Sequence, residues 1–374
     1  MPPILIGSEI YRRSTFGGKH PLSIPRVSTA LDLIRALGWL DPARYRDSPR
    51  ASAAELTRFH APDYVAALER AQAAQAVSEA DRARFGIGAR GNPVYAEMFD
   101  RPRTGAGGLL LAAELTHDGG EAHVPGAGTH HGRPDRASGF CYLNDVVLGI
   151  IAWLDQGLTR VFYLDLDAHH GDGVEAAFAD DPRVMTLSVH EAGRWPFTGT
   201  HSAGLTRNIA VPEGYSDAEA AWVREAAILP LIRHWQPQAI LLQAGADALA
   251  EDPLARLALS NNAYFATVRA VMGLAPRLIV TGGGGYNPWS VARCWAGLWG
   301  VLNGFAPPDR LPPAAEAVLR ALTWARAAGR APPEHWFTTL VDPVQPPGSV
   351  REEVVAACQA VMEDLPDSMA YSTL

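Results

Sequence analysis

Three carboxylates and two imidazoles crowd one short segment, Asp165, Asp167, His169, His170 and Asp172. Asp167 and His169 lie two residues apart, so an extended backbone points both side chains the same way. A carboxylate with a neutral imidazole suits zinc or a similar divalent ion. A second pair, His130-His131, follows a Gly-rich turn. Asp247 follows another apolar run and, taken alone, reads equally as a helix N-cap or a ligand.

These groups need elements to position them. Val161, Phe162 and Leu164 form an apolar run that predicts a buried strand, and Val174 to Ala179 predicts a helix. The acidic and imidazole groups therefore sit where a strand runs out into a loop. In open parallel α/β sheets, ligands bind beyond the carboxyl ends of the strands. Further strands are expected at Ile4–Ile6, Glu121–Val124, Val184–His190, Ala239–Leu242 and Leu278–Thr281. Helices are expected at Arg26–Leu37, Glu55–His60, Asp63–Gln75, Gly105–Thr116, Asn144–Gln156, Asp217–Trp235, Leu259–Met272 and Trp289–Leu302, and near Pro313–Ala328 and Ser349–Met362. Arg82–Arg103, rich in Gly, Arg and Pro, reads as a surface loop, as does Glu191–Leu205. Alternation of strand and helix over Glu121–Leu302 is the pattern of a parallel sheet covered on both faces. Four strand ends then carry unusual loops: His130-His131, Asp165–Asp172, Asp247 and Gly282–Tyr286. A parallel sheet places such ends on one side.

With 374 residues, 48% of them hydrophobic and 19% charged, the composition is that of an ordinary globular protein. No fixed-period repeat or low-complexity linker divides it, so 1–374 reads as one domain, with a core at about 4–302 and a helical extension at about 303–374. A net charge of −8, no basic run and a single lysine, Lys19, argue against nucleic acid as a partner. Cys141, Cys294 and Cys358 are far apart and odd in number, which argues against a disulfide framework or a cysteine zinc site. The longest apolar run, Val146–Leu154, is too short to span a membrane. No signal peptide is evident, so a cytoplasmic location is expected.

The chain resembles the superfamily of histone deacetylases, acetoin-utilisation deacetylases and acetylpolyamine amidohydrolases. The resemblance rests on Val124-Pro125-Gly126-Ala127-Gly128-Thr129-His130-His131, Gly139–Asp145, Asp165–Val174, Gln243–Leu249, Gly282–Tyr286 and Gly18–Pro21 with Pro25-Arg26. It implies the arginase–deacetylase fold, a three-layer α/β/α sandwich around a mainly parallel eight-stranded sheet. It implies zinc, with ferrous iron as an alternative, on Asp167, His169 and Asp247, and hydrolysis of an N6-acyl-lysine or related N-acyl amine. By the same resemblance, His131 is the general base, partnered by Asp172, and His130 its electrostatic neighbour, backed by Asp165. Tyr286 is the oxyanion donor. Phe140, Gly139, Trp195, Leu254 and Arg26 line the substrate path. Asp165, Asp167, His169 and Ser188 match a potassium site, and Phe178 and Val184 fall near a second.

One departure concerns the substrate. Eukaryotic protein deacetylases carry an acid at the rim, where this chain has Gly91 in Ala89-Arg90-Gly91-Asn92-Pro93-Val94-Tyr95. The expected partner is therefore an acylated lysine peptide or protein, or a small acylated amine such as an acetylpolyamine. A two-manganese ureohydrolase needs a second D-x-D cluster, but only Asp247 stands in Gly245–Leu249. A non-catalytic acyl-lysine binder is disfavoured by the complete set of Tyr286, His131 and the three ligands. The sequence leaves the oligomeric state open.

Overall fold

The computed structural model describes residues 2–14, 16–89, 91–363 and 365. Eight strands form a single sheet: β1 Ile4–Gly7, β2 Tyr45–Asp47, β3 Gly120–Val124, β4 Val161–Asp165, β5 Val184–Glu191, β6 Thr206–Val211, β7 Ala239–Gln243 and β8 Arg277–Thr281. Their order is β2-β1-β3-β8-β7-β4-β5-β6, and each neighbouring pair is parallel. The fold is the expected α/β/α sandwich.

The period of two explains the layers. Phe162 and Leu164 of β4, with Ile240 and Leu242 of β7, pack on one side, and Val161, Tyr163, Ala239 and Leu241 pack on the other. Strands buried on both faces read as unbroken apolar runs, and each buried aliphatic side chain contributes about 2 kcal/mol. Helices Asp217–Trp235, Asn261–Val271 and Pro288–Leu302 supply the first layer, and Asp145–Asp155 and Asp100–Leu115 supply the second. The first of these helices loosens into a π turn at Arg224–Ile228.

Several elements differ from expectation. Within 82–103 lie most of a helix at Glu79–Phe85 and the start of another at Asp100–Leu115. Pro102 is tolerated because it falls in the first turn. That turn is capped by a different helix: Gln72 Oε1 accepts from Phe99 N and Asp100 N at 2.8 and 2.9 Å. Edge strands β2 and β6 have no counterpart among the expected strands. The helix expected to reach Ala328 ends at Arg320, beyond which Trp324 turns to meet the Trp289 ring at 6.2 Å. From the helical extension, Leu319, Trp336, Leu340, Val354 and Cys358 enter the main core. Arg293, fully buried, pairs with Asp342 at 2.7 Å. Cys141, Cys294 and Cys358 are buried free thiols. Among the described residues, no helix is long and apolar enough to cross a membrane.

Candidate metal centre and active site

Strands β3, β8, β7 and β4 are consecutive in the sheet, so their carboxyl ends meet. They deliver the His130-His131 loop, the Gly282–Tyr286 loop, Asp247 and the Asp165–Asp172 loop. Asp167, His169 and Asp247 are buried together, each offering a ligand atom within 4.8 Å of the others. His169 Nδ1 lies 2.9 Å from Asp247 Oδ2 and 3.3 Å from Asp167 Oδ1. The remaining oxygens are held by main-chain amides. Ala168 N donates to Asp247 Oδ1 at 2.9 Å, and Gly284 N donates to Asp167 Oδ2 at 2.7 Å. Only glycine fits at 245 and 284, where a Cβ would strike Asp167 and Asp247 respectively.

Two buried carboxylates around one imidazole lack positive charge. Burial and the neighbouring Asp167 raise the Asp247 carboxyl to about 6. Burial works against charge on His169, but Asp247 and Asp167 outweigh it and push its pKa well above the ordinary value. Thus a proton on His169 sits where a cation would serve both acids, and the donor set of two carboxylates and one imidazole fits a divalent metal with positions left open. Among the described residues this is the sole such cluster, against the pair of metals a ureohydrolase requires.

His131 Nδ1 lies 2.7 Å from Asp172 Oδ1, and Arg133 Nη2 holds the other oxygen of that carboxylate. Burial, then the neighbouring His130 charge, depress His131 to about 3 despite Asp172. His130 lies beside it with ring centres 3.9 Å apart and the planes tilted by 53°, and its Nδ1 contacts Asp165 Oδ2 at 2.8 Å. For His130, burial is outweighed by Asp165 and Asp167, which raise it to about 9. Asp165 also accepts from Tyr163 Oη at 2.6 Å and from Asp167 N at 3.0 Å. Asn144 braces the loop, its Nδ2 donating to His130 O and Gly132 O.

Tyr286 is buried, and burial, with Asp247 and Asp167 nearby, pushes its phenol well above 10. It therefore keeps its proton at neutral pH. Phe140 packs edge-on against Tyr286 at 6.0 Å and His20 at 4.4 Å. Trp195 packs edge-on against His131 at 4.6 Å and lies 6.4 Å from His169. Gly139, at φ +53°, leaves no room for a Cβ, which would meet the Trp195 indole and fall 2.6 Å from His131 Cδ2. Leu254 is half-buried in the Phe140 and Tyr286 cluster. Arg26 Nη1 donates to Gly283 O at 2.7 Å. That carbonyl and the Gly284 N–H that binds Asp167 belong to one peptide group, so Arg26 polarises the amide that holds Asp167.

Ser188 stands opposite Asp165 in the β4–β5 register, but its hydroxyl is engaged by His190 Nδ1 at 3.0 Å. Phe178 and Val184 are buried in the second layer, in the cluster that holds Val161 and Tyr163. Gly91 adjoins the site: its carbonyl lies 3.2 Å from His20 Nε2, and its Cβ position is 3.5 Å from Phe140. Arg90 lies outside the described residues.

Sequence reasoning missed Asp252, Gln243 and Tyr264. Asp252 Oδ2 accepts from Tyr286 N at 2.7 Å, anchoring the tyrosine backbone. Gln243 Nε2 donates to Gly128 O at 2.8 Å, tying two loops together. The Tyr264 hydroxyl meets Gly245 O and, at 3.1 Å, Leu166 O, each within two residues of a member of the triad. Asp252 carried a local signal, an acid five residues beyond Asp247, and Gln243 opens the Gln243–Leu249 motif itself.

Comparison with known proteins agrees with this geometry. The family model for the histone deacetylase domain matches residues 20–302. The acetoin utilization protein AcuC of Bacillus subtilis is 33% identical over 350 residues, covering 89% of each chain. Histone deacetylase RPD3 of Saccharomyces cerevisiae is 36% identical over 310 residues, 79% of this chain and 71% of its own. The crystal structure of a histone deacetylase homolog from Aquifex aeolicus superposes with a TM-score of 0.92 at 33% identity, over 96% of this chain and all of the homolog. An HDAC homolog complexed with SAHA matches equally well. Sequence, fold and clustered side chains thus agree, and the chain belongs to the histone deacetylase family of hydrolases.

Proposed function

We propose that this protein hydrolyses an N6-acyl-lysine, or a related small N-acyl amine, to the free amine and a carboxylate. The observation that carries the reading is the buried Asp167, His169 and Asp247 triad with His131 and Tyr286 beside it. A divalent cation on the triad, zinc or alternatively ferrous iron, supplies Lewis acidity toward the carbonyl and a more acidic water. His131 Nδ1–H donates to Asp172, which leaves Nε2 free to take the proton of the attacking water and return it to the departing amine. His130, held by Asp165, adds positive charge beside the developing oxyanion. Tyr286, protonated and anchored by Asp252, donates to that oxygen. Phe140 and Trp195 exclude water along the substrate stem, with Gly139 and Leu254 completing the wall. Asp165, Asp167, His169 and Ser188 are assigned a structural potassium ion.

Gly91 favours a second reading, in which the substrate is a small acylated amine such as an acetylpolyamine. No rim acid stands there to grip a peptide backbone. SAHA binding by the HDAC homolog supports a cleft that admits a slender ligand.

Acyl release from acetyl-lysine peptides and acetylated polyamines, with and without chelator, tests the reading. Activity should vanish on chelation and return with zinc. Tyr286→Phe should lose about a hundredfold or more in kcat with metal content intact. Chelator-resistant turnover, or a Tyr286→Phe enzyme near wild type, refutes the assignment.

A further inference from the structure

Behind Phe140 and the Gly282–Tyr286 loop lies an internal cavity of about 50 Å3, lined by Arg26, Arg101, Tyr95, Gly128, Phe140 and Gly283 among others. By this measure a water needs roughly 10–15 Å3, so the space suits a group of three or four heavy atoms. Its chemistry is unusual for an interior. Arg101, buried, lies between the rings of Tyr11 and Phe16 at 4.9 and 4.7 Å, and its Nη1 reaches Ser14 O only at 3.4 Å. Arg26, also buried, spends Nη1 on Gly283 O and Gly285 O. Its Nε has no hydrogen-bond partner among the described residues, and neither has the buried Tyr95 hydroxyl. Neither arginine forms an ion pair with a carboxylate among the described residues.

Asp145 is the one acid on the cavity wall. Its Oδ1 accepts from Gly128 N and Thr129 N at 3.0 and 2.8 Å, its Oδ2 has no hydrogen-bond partner among the described residues, and burial raises its carboxyl to about 6. Two guanidiniums therefore face one weakly held charge. The two charges are met by carbonyls and ring faces and by no carboxylate among the described residues, and planar guanidinium groups match carboxylates in particular. The cavity is short of an anion. It also has an address: Gly283 and Phe140 belong to both the cavity and the reaction centre, and one peptide group separates Arg26 from Asp167. A substrate stem entering between Phe140 and Trp195, with its carbonyl at Tyr286, directs the rest of its acyl group inward.

We infer that this enzyme accepts acyl groups that end in a carboxylate, of the succinyl or glutaryl class, with the distal carboxylate held by Arg101 and Arg26. The inference rests on the hydrolase reading above and adds the acyl class to it. Water adds its oxygen to the amide carbon, the C–N bond breaks, and the amine leaves with the proton relayed by His131. The products are an ammonium and a dicarboxylate, so no oxidant or further reactant is needed. A free product carboxylate presents the same chemistry to the arginines, and the test separates the two.

The metal-loaded enzyme would be assayed on one lysine peptide bearing acetyl, butyryl, succinyl or glutaryl groups. Succinyl should match or exceed butyryl, its neutral counterpart in length, and glutaryl should be cut as well. In Arg101→Met the ratio of succinyl to acetyl kcat/KM should fall about thirtyfold or more, the worth of a charged hydrogen bond, and Arg101→Lys should recover part of it. Acetyl and butyryl turnover with no acidic-acyl turnover overturns the inference and leaves the hydrolase reading standing. So does inhibition by free acetate or succinate that Arg101→Met relieves while acidic acyl peptides remain uncut, since the cavity then holds product only. Absence of turnover on every acyl group, carried on this peptide and on a polyamine alike, removes both readings. The wild-type comparison decides the matter even if Arg101→Met does not fold.

Discussion

A single methyl group at Gly284 should empty the metal site. Gly284 N donates to Asp167 Oδ2 at 2.7 Å, so its Cα is pinned against the triad. A Cβ there falls 2.6 Å from Asp247 Cγ and 2.9 Å from Asp167 Oδ2, and closer still to Asp247 Oδ2. Ordinary contact begins at 3.4 Å. The Asp247 carboxylate must therefore retreat by at least about 0.8 Å, several times the roughly 0.2 Å that a metal–ligand distance tolerates. It cannot retreat freely, because Ala168 N and His169 Nδ1 hold it at 2.9 Å each. Gly284 is not among the left-handed glycines, so alanine adds no backbone strain and the penalty falls on the ligand. Loss of an outer partner of a ligand weakens metal binding by about 10- to 100-fold, and displacing the ligand itself should cost at least the upper figure. Zinc affinity of Gly284→Ala would be measured by competition with a chromophoric chelator, with circular dichroism and a thermal melt to establish folding. Gly273→Ala is the control: it sits at φ +77° in open space, so it should lose stability and keep its metal. A folded Gly284→Ala protein with wild-type zinc affinity would show that Asp247 is no ligand.

Two further outcomes follow from the hydrogen bonds. Asp172→Asn must present either an amide to Arg133 or an N–H to His131 Nδ1, and the second choice moves the imidazole proton to Nε2; kcat/KM should fall about a hundredfold or more, and a loss below fivefold refutes the tautomer role. His60 is buried with Asn144 N donating to its Nε2 at 3.0 Å and its Nδ1 against Arg133 O at 3.0 Å, and burial depresses it to about 4. The folded state thus binds this proton less readily than the unfolded chain, so stability falls as pH drops below about 6.5 and the loss is complete near pH 4. At pH 5 the loss is about 2 kcal/mol relative to pH 7. Urea denaturation at the two pH values should show that much less loss in His60→Gln, and equal losses in both proteins refute it.

The parts of the site that could be read in the sequence share a physical property: each is locally encoded. Asp167 and His169 were readable because a period of two follows an apolar strand, and the glycines of 282–285 because four in a row end another apolar run. Burial on both faces wrote β4 and β7 as unbroken apolar runs. The parts that could not be read depend on distant groups. Residues Tyr45–Asp47 make a strand only because β1 offers its free edge, and their own composition, a tyrosine, an arginine and an aspartate, argues for nothing. Asp100 starts a helix because Gln72, on another helix, supplies the cap. Arg101 illustrates the point most sharply. In sequence it is one arginine among many in a stretch that reads as surface, and only the packing of Tyr11 and Phe16 around it turns it inward. Its charge then lies beside the reaction centre rather than in water. Residues that carry the common chemistry of the family announce themselves by spacing. A residue that sets which acyl group this chain accepts has no such spacing to obey, and tertiary contacts alone make it functional.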